Sequence, residues 1–153
     1  MNLNVSIILM FIISFIIQYF VMSYIMNYNF LYINNSLGKV YLSIIVGLLF
    51  VIYDIILYDY EHKTIHTTYY IISVLLTILT IFMYRNQIGI NVKNYLYDII
   101  EHNSILLQKS YEILDKTHDP ELKELIKDMV IKGKQEIYKI DEVLETEEGL
   151  YTI

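Results

Sequence analysis

Cysteine is absent from the 153 residues, which excludes disulfides, zinc–thiolate sites, iron–sulfur clusters and a cysteine nucleophile. Tryptophan is absent too, and the one proline is Pro120. Residues 1–38 carry no charged side chain. No glycine-rich phosphate loop is present, and no nucleophile–base–acid set stands out. His102 and Ser104, for example, are two apart and so face different sides of a helix. The Asn-x-Ser patterns at Asn4 and Asn34 lie too near apolar runs to be informative.

What the chain does have is apolar surface. Hydrophobic residues make up 56% of it and the mean hydropathy is +0.44, which places it in the membrane class. Sixteen tyrosines and abundant Ile, Asn and Lys read as an A+T-rich genome. Charge is unevenly spread. Residues 1–92 balance Lys39, Lys63 and Arg85 against Asp54, Asp59 and Glu61. Residues 93–153 hold eight lysines against fourteen acids, the whole net charge of −6. An acidic tail repels phosphate, so nucleic acid is not an expected partner. Its last acids, in residues 145–153, read as a solvated terminus.

About 20 apolar residues span the ~30 Å hydrocarbon core of a bilayer. Residues 5–26 meet that length, and residues 40–57 and 67–84 supply two further spans. The first reads as an uncleaved anchor, because it lacks a basic start and a small-residue cleavage site. Tyrosines such as Tyr24, Tyr28, Tyr58, Tyr60 and Tyr84 gather near the span ends, where amphipathic rings suit the headgroup layer. The chain is therefore expected to be a multi-pass integral membrane protein, with residues 1–85 as its transmembrane block. Three spans put residues 58–66 on one side, and residues 27–39 with the carboxyl domain on the other. Flanking charges do not choose an orientation. Gln18 and Asp54 fall inside spans; an interhelical hydrogen bond and interfacial water account for them. A small channel would instead need one of them to line a pore.

Residues 86–91 read as a polar hinge around Gly89. Residues 92–144 then read as an antiparallel helical hairpin, broken at Thr117-His118-Asp119-Pro120. Asp119 is placed to cap the second helix, and Pro120 suits its first position. The expected seams are Val92, Leu96, Ile99, Asn103, Leu106, Ser110 and Ile113 against Leu122, Ile126, Met129, Gly133, Glu136 or Ile137, Ile140 and Val143. Their polar interruptions, near His102–Asn103 and Gln135–Glu136, meet at one level. A lone hairpin of this size buries too little to be stable. It calls for a second copy, giving a homodimeric four-helix bundle, or for another helical protein. The predicted class is thus all-α: three transmembrane helices followed by a hairpin.

Three ordered segments carry a family resemblance: Glu101-His102-Asn103, Asp119-Pro120-Glu121-Leu122-Lys123 and Gln135-Glu136-Ile137. Over residues 95–144 the chain resembles the family called domain of unknown function 305, in its subgroup with a membrane prelude. The resemblance implies a ferritin-like half-bundle associated with metal handling, copper in particular. A metal site built on His102 and Glu136 is what it implies here, with Asn103 and Gln135 alongside. The chain departs from the pattern where Glu101 stands in place of a proline, Asn103 replaces the second histidine and Ile140 a methionine. Asparagine is a poor ligand for copper or zinc. The expected function is therefore a membrane-anchored, non-enzymatic interaction module that self-associates through its hairpin. The alternative is a copper-type or other transition-metal protein using the same hairpin. A second candidate pair is His62 and His66, whose four-residue spacing would place both imidazoles on one helix face.

Overall fold

The computed structural model describes residues 2–150, with side chains through residue 146. The described residues form five helices and no strand: α1 (Leu3–Met26), α2 (Leu37–His62), α3 (Thr67–Arg85), α4 (Val92–Lys116) and α5 (Pro120–Leu150). They fall into two compact units. One holds residues up to Ser23 with Leu37–Ile90; the other holds Tyr24–Ser36 with the described residues from Asn91 onward. Residues 24–36, expected to belong to the membrane block, therefore group with the hairpin.

In the first unit α2 lies between α1 and α3. All three are long and apolar enough to cross a membrane, by length and composition. Leu3, Val51 and Ile55 form this unit's buried apolar cluster, and small side chains allow close approach beside it. A Cβ on Gly47 would sit 2.9 Å from the Phe11 ring and 3.4 Å from the Phe11 carbonyl oxygen, so glycine lets α1 lie directly on α2. Ser73, Thr77 and Thr80 are buried on α3. The Thr77 and Thr80 hydroxyls donate to the carbonyls of Ser73 and Leu76 at 2.7 and 2.8 Å, which satisfies them inside the helix. The outward surface is apolar: Ile8, Ile13, Phe20, Leu75, Ile78 and Phe82 are all more than half exposed. Within α1, Ile17–Met22 forms a π-helical stretch. It contains Gln18 and sets the Tyr19 ring 4.8 Å from the Lys39 ammonium.

The hinge turns at Gly89, whose φ of +75° suits glycine, and the Tyr41 hydroxyl donates to the Ile88 carbonyl at 2.8 Å. Asn91 then caps α4 by accepting from the Asn94 amide at 2.8 Å. Asp119 caps α5, accepting from the amides of Glu121 and Leu122 at 2.9 and 3.2 Å. α5 runs six residues beyond the expected end at 144. Residues 145–150 therefore continue the helix rather than forming a separate tail, and 151–153 lie outside the described residues.

Candidate functional site

α4 is the element around which the second unit is built, because two of its sides are occupied at once. Toward α5, Ile100 and Leu107 pack against Val130, Ile137 and Leu144. Leu107 lies against Gly133 across the seam. On another side a polar ladder, Asp98, Glu101, Ser104 and Gln108, meets residues 24–36. Asn27 Nδ2 donates to Glu101 Oε1 at 3.3 Å, and the Tyr28 amide donates to Ser104 Oγ at 3.1 Å. Gln108 Nε2 donates to the Ile25 carbonyl at 3.4 Å, and the Ser36 hydroxyl donates to Asp98. The Tyr28 ring stacks on Tyr111 with centroids 5.0 Å apart, and Lys134 Nζ lies 5.4 Å from the Tyr111 ring. The Tyr111 hydroxyl, as hydrogen-bond partner and as a charge, pushes the Lys134 ammonium above its ordinary value.

This ladder corrects the expected seam. Glu101 and Ser104 are buried, and holding them against residues 24–36 turns α4 by about one residue. Ile100 and Leu107 take the inner places toward α5 and Ser110 is buried as expected, while Ile99 and Asn103 are half-buried and Leu106 and Ile113 are exposed. On α5 the inner places go to Ile126, Val130, Gly133 and Ile137; Leu122 and Met129 face out. The spacing of Asp98, Glu101, Ser104 and Gln108 (three, three, four) is a helix period, so the ladder had a sequence signal. A face of polar side chains reads as solvated unless its cover is known.

The rotation leaves an open apolar face. Leu106 and Ile113 of α4 and Leu122, Leu125, Met129 and Val143 of α5 are each 39–56% exposed. They recur at three- and four-residue steps or multiples of seven, so each set forms one stripe. The two stripes lie on the same side of the hairpin, because Asn103 Nδ2 reaches across from the first to donate to Glu136 Oε2 of the second at 3.1 Å.

The candidate metal residues separate on this geometry. Asn103 and Glu136 are brought together, but His102 is exposed and makes no hydrogen bond or ion pair among the described residues. Gln135 is exposed as well. No group of three or more His, Asp or Glu side chains among the described residues is placed to hold a metal ion.

His62 and His66 do not share a helix face. His62 ends α2, His66 precedes α3, and Lys63 turns between them with φ of +51°. Each is held locally. His62 Nδ1 lies 2.9 Å from the Tyr58 carbonyl, with its ring stacked on Tyr58. His66 meets buried Asp59 twice, through Nδ1 to Oδ1 at 2.5 Å and through its amide to Oδ2 at 2.9 Å, and Thr64 Oγ1 donates to the same carboxylate. Asp59 thus fastens the α2–α3 turn, a contact from the last turn of α2 across the irregular residues 63–66 that no periodicity marks. Elsewhere in the first unit, Asp54 Oδ2 is enclosed without a hydrogen-bond partner among the described residues. Ser36, of the Asn34-Asn35-Ser36 pattern, is buried against Asp98.

No family model matches this chain, and no solved structure matches it. An uncharacterized protein of Acanthamoeba polyphaga mimivirus is 32% identical to it over 85 residues, 56% of this chain. The match likewise spans 56% of the viral protein's length, and it brings no activity with it.

Proposed function

We propose that this chain is a multi-pass membrane protein anchored by α1, α2 and α3, and that its hairpin is a non-enzymatic interaction module that binds a second copy. The observation that carries this is the open face of the hairpin. Each helix bears an apolar stripe wide enough to serve two contacts, and only one is used inside the hairpin. Stripes that wide belong to bundles of four helices rather than two. A pair of hairpins would supply the four helices of the ferritin-like kind that the resemblance implies. The apolar outer surfaces of α1 and α3 fit lipid, which needs no polar partner there.

Two differently tagged copies, co-expressed, test the assignment. Both should stay in the membrane fraction after an alkaline wash, and each should co-isolate with the other in mild detergent. Leu106→Glu combined with Met129→Glu should abolish co-isolation and leave membrane retention intact. Release by the wash, or co-isolation unaffected by the two glutamates, contradicts it.

A further inference from the structure

The Asn103–Glu136 pair lies on the open face, not within the hairpin seam, and that placement changes what it can do. A polar pair inside the seam would fix how α4 sits on α5. Here Leu107 against Gly133 and Ile100 with Ile137 already do that. The pair instead stands among Leu106 and Met129, with Ile113, Leu122 and Leu125 toward the turn and Val143 toward the far end. Whatever covers the apolar residues must also meet a polar level at one fixed height.

We infer that the occupant is a second copy of this hairpin and that the Asn103–Glu136 pair sets its register; this rests on the self-association proposed above. The face is large enough. Complete cover of the half-exposed side chains and the polar pair would bury at most roughly 600 Å² per copy, about 1,200 Å² in all, the low end of a specific interface. It is also self-complementary. Asn103 spends one amide hydrogen on Glu136, which leaves its second hydrogen and its carbonyl oxygen for a partner. An identical asparagine offers the same two functions in return. Lys132, one helical turn before Glu136, is paired with Asp128 at 2.6 Å, and Lys109 borders the α4 stripe, so each face carries both signs of charge. Sliding one copy by a turn would set Leu106 or Met129 against the other copy's polar pair and leave a buried amide and carboxylate unmatched. That cost is how a single asparagine selects one alignment in a coiled coil.

Single-cysteine variants of the full chain test this cleanly, because no native cysteine competes. Cysteines at Leu106, Ile113, Leu125 and Met129 sample the face, and one at Tyr138, 76% exposed on the other side of α5, is the control. In liposomes under mild oxidation, a defined subset of face positions should cross-link as dimers and Tyr138 should not. In an Asn103→Leu background, dimer cross-linking should persist but spread across all face positions; Asn103→Gln should restore the narrow pattern. If Asn103→Leu keeps the narrow pattern, the register assignment falls while the module stands. If no face position cross-links in either background, self-association itself falls. In that case, protection of the face cysteines from a water-soluble maleimide would identify lipid as the cover.

Discussion

Gly133 and Asp141 show how single side chains tune the hairpin. A Cβ at Gly133 would lie 3.4 Å from Leu107 Cδ2, an ordinary contact distance, and the position is mid-helix. Gly133→Ala should therefore stabilise the hairpin by about 0.5–1 kcal/mol through lower backbone entropy in the unfolded chain, seen as a raised melting temperature. Asp141 behaves oppositely to a paired carboxylate. Burial first, and repulsion from Glu145 second, push its carboxyl above the ordinary value of 3.8. Its contribution to stability is complete below that value and is lost as pH rises through the raised one. Asp141→Asn should melt higher than the parent at pH 7, with the gap closing below about pH 3.8; an equal gap at both pH values contradicts this. At this scale the sequence was legible where chemistry is local. Asp119 and Pro120 announced the α5 cap because capping is settled within three residues. The Asp59–His66 fastening was not, because it joins groups across an irregular turn.

The breaks at 86–91 and 117–120 were legible as polar, Gly- or Pro-bearing stretches, but α2 runs from Leu37 to His62, past the expected 40–57, and helix rotation was not legible. The expected seam of α4 assumed a single partner. Asp98, Glu101, Ser104 and Gln108 engage a second one, residues 24–36, whose role depends on contacts some 60 to 80 residues away in sequence. Gly47 is the matching case in the first unit: its meaning appears only once Phe11 is beside it. Gly47→Leu should force α1 off α2 and cost about 1–3 kcal/mol, read as a lower melting temperature in detergent. An unchanged melting temperature would show that α1 and α2 are not held together at this point.

At the scale of the molecule, apolar surface is the dominant fact, and it occurs in two forms. On α1 and α3 it is continuous and suits lipid. On the hairpin it is a stripe with a polar step at Asn103 and Glu136, and it suits another stripe. That the hairpin has apolar stripes was legible from its periodicity; which side of it stays open was not, because that depends on how far α4 is turned. Resonance energy transfer between full-length copies, labelled through a single cysteine at exposed Lys116 and reconstituted in liposomes, measures the pairing directly. Transfer should saturate as the protein-to-lipid ratio rises, fall when unlabelled chain is added, and vanish for Leu106→Glu with Met129→Glu. Transfer no greater than random proximity in the bilayer, and indifferent to those two substitutions, would contradict a hairpin that pairs with its own copy.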